Sequence, residues 1–263
     1  VVHCREPVDS PGSVETLLDT SELARETEAG FADVIACKVS DDNAVLAFIV
    51  DVTGDESYEL RFRHLRGGIW NVRIPNVRSV EFTGHGNGQS GVGVLAVQMH
   101  RETRRASRVS YLCVGASHVE ETELWEDDNA AAYLEVFRTK NRRFVLLSSN
   151  TKETSELRVV RCGTSEAPAK IRPVVNKLLN RKEGVEYFAE HREGFFYVVS
   201  NHQRPDFAVY LLSEDQLDEV AGWPQLELFF RPQGGLHVTD VDLLADSLVL
   251  YGNEAAAPRI CVV

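Results

Sequence analysis

Five short apolar runs punctuate the chain: Val45–Val50, Val92–Val97, Phe144–Leu147, Phe195–Val199 and Leu248–Tyr251. Each ends at or just before a polar residue (Asp51, His100, Asn150, Asn201 and Asn253), and these anchors lie 49, 50, 51 and 52 residues apart. The runs do not alternate in polarity, which is the pattern of a strand covered on both faces. A polar, turn-like stretch follows, for example Thr53–Ser57, Thr151–Thr154 or His202–Asp206. A second strand comes next: Tyr58–His64, Val109–Val114, Leu157–Cys162, Phe207–Leu212 and Pro258–Val263. In the first of these, Tyr58, Leu60 and Phe62 alternate with Glu59, Arg61 and Arg63, so a period of two places the apolar members on one face.

Each pair has flanking strands. Asp33–Val39 and Ile69–Ile74 bracket the first, and Val77–Thr83 and Val119–Trp125 the second. Tyr133–Arg138 and Ile171–Val175 bracket the third, and Glu186–His191 and Leu226–Phe230 the fourth. The fifth unit, from His237, stops after three strands. Four antiparallel strands in about fifty residues describe a propeller blade. The expected fold is therefore all-β, a partial β-propeller over residues 1–263, with about five blades visible. The blade repeats fall at about 31–75, 77–126, 131–176, 183–230 and 236–263, and residues 1–19 are part of a preceding blade. There Val1–Cys4 reads as a third strand and Val14–Leu18 as a fourth. Because the chain starts at Val1 and its only methionine is Met99, it is expected to be processed or part of something longer. Either the N-terminal strand closes a five-bladed ring or further blades exist, and the missing initiator favours the second. Helical signals are confined to Ser21–Glu28, with Ser21 as an N-cap-like residue, and Glu214–Val220 before Gly222.

Composition narrows the function classes. Twenty-eight Lys and Arg against 40 Asp and Glu give a net charge of −12, which argues against general affinity for nucleic acid or anionic membranes. No apolar stretch approaches the roughly 18 residues that suggest membrane insertion. Cys4, Cys37, Cys113, Cys162 and Cys261 are odd in number and widely spaced, so buried free thiols in a reducing, intracellular and cytoplasmic setting are expected.

No residue emerges as catalytic, metal-binding or cofactor-binding, and no cofactor is implied. The string Gly88-Gln89-Ser90-Gly91-Val92 departs from G-x-S-x-G at Val92 and lacks the strand–helix context of a nucleophile elbow. With Gly84, Gly86 and Gly93 it reads instead as a glycine-rich β-hairpin. The eight histidines (His3, His64, His85, His100, His118, His191, His202 and His237) show no metal-ligand spacing. The acidic group Glu120, Glu121, Glu123, Glu126, Asp127 and Asp128 reads as a charge-protected edge strand. Arg101, Arg104, Arg105 and Arg108 form a basic turn without interleaved aromatics. Trp70, Trp125 and Trp223 read as packing residues at strand ends.

Several stretches resemble the prolyl oligopeptidase family, in its oligopeptidase B branch. They are Val45-Leu46-Ala47-Phe48 with Asp51-x-x-Gly54-x-Glu56-x-Tyr58-x-Leu60-x-x-Arg63-x-Leu65, then Arg142–Ser149 with Thr154-Ser155-Glu156. Gly184-Val185-Glu186-Tyr187 with Glu190-His191 and Phe196-Tyr197, and Val14–Asp19, complete the set, in the family's order and spacing. The resemblance implies a seven-bladed propeller capping a separate α/β-hydrolase domain that carries a Ser, Asp and His triad. The propeller would then admit short peptides and exclude folded proteins. No part of this chain matches the hydrolase domain, so no catalytic residue carries over. Two functions follow as expectations: a non-catalytic, substrate-gating propeller of a serine oligopeptidase-like protein, or a catalytically inactive scaffold for protein–protein interaction. The expected partners are an α/β-hydrolase domain in cis or other protein subunits, with short peptides as possible ligands.

Overall fold

The computed structural model of the protein describes residues 1–6, 12–27, 30–87, 89, 91–164, 169, 172–217, 223 and 226–263. The chain divides into two compact units, one of residues 1–126 and 163–172, the other of residues 127–162 and 173–263.

In the first unit β1 (Val2–Arg5) pairs antiparallel with β2 (Glu15–Asp19), and a short helix α1 (Thr20–Arg25) follows. Two four-stranded antiparallel sheets come next. One holds β3 (Asp33–Val39), β4 (Val45–Asp51), β5 (Tyr58–His64) and β6 (Gly68–Pro75) in chain order. The other holds β7 (Val77–Asn87), β8 (Gly91–Met99), β9 (Ala106–Val114) and β10 (Val119–Glu126), also in chain order. The missing alternation in β4 now has a cause. Val45, Ala47 and Ile49 pack with Leu60 and Phe62 against Val80, Phe82 and Val94 of the next sheet. Leu46, Phe48 and Val50 face the other way, onto Leu17, Leu18 and Leu23. A strand clamped between two layers is apolar along the clamped length: Val45–Val50 are all buried, and the buried Asp51 at the end of β4 is satisfied by the turn amides. By contrast β6, at the sheet edge, buries Trp70, Val72 and Ile74 and exposes the residues between them.

The second unit repeats the plan. One sheet runs β11 (Tyr133–Arg138), β12 (Phe144–Asn150), β13 (Ser155–Arg161), β14 (Val175–Leu179). The next runs β15 (Tyr187–Arg192), β16 (Phe195–Ser200), β17 (Ala208–Ser213), β18 (Glu227–Phe230). A three-stranded sheet of β19 (His237–Leu243), β20 (Leu248–Glu254) and β21 (Ala257–Val262) follows. Strand β16 is clamped like β4. Phe196 and Val198 pack on Phe144, Leu146 and Val159, whereas Tyr197 and Val199 pack on Val238, Val241 and Leu250.

Two of the polar residues that end the apolar runs close the turns that follow. Asp51 accepts the amides of Thr53 (2.8 Å), Gly54 (3.0 Å) and Glu56 (2.8 Å). His100 Nδ1 accepts those of Glu102 and Thr103. Asn201 instead ties the end of β16 to the segment before β15, taking the Glu186 amide at 2.8 Å and donating to the Gly184 carbonyl.

Three sequence expectations need correction. The fourth strand of the third sheet is Val175–Leu179 rather than Ile171–Val175. Pro173 cannot donate to a ladder, while Leu178 and Leu179 are completely buried, so pairing begins beyond the proline; Ile171 lies outside the described residues. Helix α1 is capped by Asp19, whose carboxylate accepts the Ser21 amide at 2.8 Å, so Ser21 lies inside the helix. At Glu214 the expected helical turn is a 3₁₀ turn, Glu214–Gln216, closed by a capping box between Ser213 and Gln216; residues 218–220 lie outside the described residues. Of the five thiols only Cys113 is buried, and Cys4 is exposed. Cys4, Cys37 and Cys261 sit on β1, β3 and β21, which lie at sheet edges, so one side of each has no neighbouring strand. Burial still pushes the Cys37 thiol up to about 11.

Candidate functional site

The third sheet ends in a groove of about 1030 Å³. Its walls are the segment before β11 (Asn129) with the first residue of β11 (Tyr133), the β12–β13 turn (Asn150–Thr154) and the segment after β14 (Arg181, Glu183). Tyr133 is 62% exposed on its rim. The floor is a charge network. Arg181 donates from Nη1 to Thr154 Oγ1 (2.7 Å), and from Nη2 to Ser149 Oγ (2.7 Å), the Ser149 carbonyl (3.2 Å) and Asp127 Oδ2 (3.1 Å). Ser149 in turn hydrogen-bonds Asp127. Beside this network Tyr187 receives the Leu157 amide at 2.8 Å and donates to the Leu179 carbonyl at 2.7 Å. Burial pushes its phenol well above the ordinary range, so it stays protonated.

The groove can hydrogen-bond an extended, polar ligand through Asn150, Lys152 and Glu183 while Tyr133 supplies an apolar face. Ser149 makes its side-chain bonds to the Asp127 carboxylate and the Arg181 guanidinium. The same position in other sheets also forms a hollow. One of about 500 Å³ lies at the β8–β9 turn with Glu126, and one of about 650 Å³ joins the β16–β17 turn to the β18–β19 connection.

His191 centres a second polar cluster. It is 2% exposed, and Phe144 and Phe196 each stand edge-on to it with ring centres 4.7 Å away. The Asn141 amide approaches His191 Nδ1 at 2.7 Å, and Asn141 Oδ1 is occupied by Thr139 and the Arg143 amide. Nδ1 is therefore the acceptor and Nε2 carries the proton. Nε2 lies 3.1 Å from Glu214 Oε2, and Arg143 and Arg161 also reach that carboxylate. Burial, with help from the two arginines, outweighs Glu214 and holds His191 down to about 4.

The residues singled out in the sequence scatter rather than converge. Gly84, Gly86 and Gly91 take positive φ in the β7–β8 hairpin, where Gly86 pairs with Val92 and Asn87 with Gly91; Gly88 and Ser90 lie outside the described residues. The acidic strand is β10, an edge strand as expected, largely exposed. Arg108 bonds Gln98 and stands 3.8 Å from both Glu121 and Glu123, so part of the basic turn neutralises that edge. Arg104 reaches the Glu56 carbonyl. Trp70 and Trp125 are buried packing residues, and Trp223 bonds the Asn180 carbonyl at 3.0 Å. Among the described residues no three His, Cys, Asp or Glu side chains gather as a metal group. Among the described residues no helix is long and apolar enough to cross a membrane. The groove network escaped the sequence reading because Asp127 and Arg181 are 54 residues apart and share no motif.

Comparison with known proteins gives the lineage. The family model for the prolyl oligopeptidase N-terminal β-propeller domain matches residues 1–261. "Prolyl endopeptidase-like" from Gallus gallus is 23% identical over 259 residues, 97% of this chain and 32% of that protein. "Protease 2" from Moraxella lacunata is 24% identical over 254 residues, 95% of this chain and 34% of that protein. The chain thus spans about a third of the length of the curated relatives it matches. The structure of oligopeptidase B from Leishmania major superposes with a TM-score of 0.79 at 18% identity, over 99% of this chain and 35% of that one. Oligopeptidase B from Trypanosoma brucei with covalently bound antipain gives 0.77 at 20% identity, over 100% of this chain and 35% of that one. These structural likenesses carry the fold, and the family model carries the membership. The described blades, their four-strand order and the match over residues 1–261 agree that the chain belongs to the prolyl oligopeptidase family as its N-terminal β-propeller domain.

Proposed function

We propose that this chain is the substrate-gating propeller of a serine oligopeptidase-like protein and takes no part in bond cleavage itself. The observation that carries this reading is the family match over residues 1–261 in a chain about a third as long as its relatives. An α/β-hydrolase domain in cis supplies the nucleophile, base and orienting acid. The propeller selects by size. Its sheets have central strands buried on both faces, such as β4, and such close-packed layers resist the opening that a folded substrate would demand. The groove over Arg181 offers polar, partly apolar walls suited to a passing extended peptide.

The test uses the whole gene product and a ladder of fluorogenic peptides that share one cleavage sequence and differ in length. Short members are cleaved and members beyond a cut-off are spared, and a fluorophosphonate probe labels a serine outside residues 1–263. Equal cleavage along the ladder, or label within this chain, overturns the reading. A gene product that takes no label and co-purifies stoichiometrically with other subunits also overturns it, and points to a scaffold.

A further inference from the structure

The hollow at the end of the fourth sheet differs chemically from the others. It is built by the β16–β17 turn (Gln203–Phe207) and the β18–β19 connection (Arg231–Gly235), both within the second unit, and encloses about 650 Å³. Arg204 and Arg231 both line it. Neither guanidinium makes a hydrogen bond or ion pair with any described residue, whereas Arg143, Arg158 and Arg181 each hold a carboxylate. In a chain of net charge −12, this hollow brings together two arginines that no described carboxylate pairs. One carboxylate, Asp206, borders the hollow. Glu254, beside Gly234, is already paired with Arg259 at 3.1 Å.

The backbone around the hollow is unusual too. Gln203, Phe207, Gly234 and Gly235 all take left-handed φ, between 62° and 77°. For Phe207 this conformation costs about 1 kcal/mol, and the ring is held against His237 with centroids 5.1 Å apart. Backbone strain of this kind persists where surrounding structure enforces it, often at ligand clamps.

We propose that the hollow between Arg204 and Arg231 binds the carboxylate of an acidic peptide. A planar guanidinium matches a carboxylate with two parallel hydrogen bonds, and a second guanidinium doubles the electrostatic attraction. The hollow is far larger than a lone inorganic anion. Pro205, Phe207 and Pro232 give apolar surface for the residues on either side of an acidic side chain. This proposal rests on the reading that short peptides reach the propeller, and it adds a preference for acidic ones.

The experiment titrates the full chain, by calorimetry at low and high salt, with an N-acetylated, C-amidated Ala-Ala-Glu-Ala-Ala peptide and its Gln twin. The Glu peptide binds about tenfold or more tightly than the Gln peptide, and Arg204→Gln and Arg231→Gln each weaken it about tenfold. An Arg101→Gln control in another sheet leaves it unchanged, and thermal melts confirm that each variant is folded. Equal affinity for the two peptides, wild-type affinity in the double variant, or displacement by inorganic phosphate at concentrations below the peptide's own overturns the assignment. The two readings fail separately. Size selection without Glu preference removes this pocket alone, and Glu binding to a chain whose parent protein shows no length cut-off removes the gating alone.

Discussion

Asp127 and Arg181 meet at 3.1 Å beneath the groove of the third sheet, although 54 residues separate them. Their side chains are 12% and 21% exposed, so the pair is largely withdrawn from water while Ser149 and Thr154 complete its hydrogen bonds. A pair of this kind adds little over an apolar equivalent, but removing one partner strands the other.

Arg181→Ala should therefore cost about 2–4 kcal/mol, because it takes a guanidinium charge and its donors away from the Asp127 carboxylate and the Ser149 carbonyl. Urea unfolding measures the loss. The double variant Asp127→Asn with Arg181→Gln should recover part of it, since no unpaired charge remains. A double variant as unstable as the sum of the two singles would show that the residues do not act on one another.

His191 makes stability depend on pH. Its folded pKa is about 4, below an ordinary value of 6.5, so between these values the unfolded chain binds the proton and the folded chain does not. Stability from this group is complete above pH 6.5 and is lost as pH falls towards 4, by on the order of 2–3 kcal/mol. Denaturant unfolding at pH 7 and pH 4.5 should show this slope in the native chain. His191→Gln should flatten it, and an unchanged slope in that variant would assign the effect to other groups.

Two left-handed glycines should respond differently to alanine. At Gly86 (φ 75°) a Cβ would fall 2.1 Å from the Gly91 carbonyl oxygen and 2.8 Å from the Ala169 Cβ. At Gly184 (φ 67°) it would meet nothing within 4 Å. Gly184→Ala should cost about 1 kcal/mol, the conformational term alone. Gly86→Ala adds a collision with backbone and should cost about 3 kcal/mol or more, or prevent folding. Thermal melts of the pair decide, and equal shifts would mean that the hairpin opens to accept the methyl group.

What the sequence by itself determined is the strand plan. The absence of alternation in Val45–Val50 is a local record of a strand buried on both faces and can be read without coordinates, whereas the alternation in Tyr58–Phe62 hides the burial of Arg61, which is paired with Glu59 between Leu60 and Phe62. The fifty-residue rhythm located two turn-closing residues as well, since Asp51 and His100 stand where an apolar run gives way to polar chain. It misplaced β14, where a proline outweighed an apolar pattern. What only the tertiary structure decided is which polar groups meet. Asp127 with Arg181, His191 with Glu214, and Arg204 with Arg231 in the lining of one hollow all join separate elements. No local period encodes such meetings, because they depend on where turns deliver side chains once the sheets have packed.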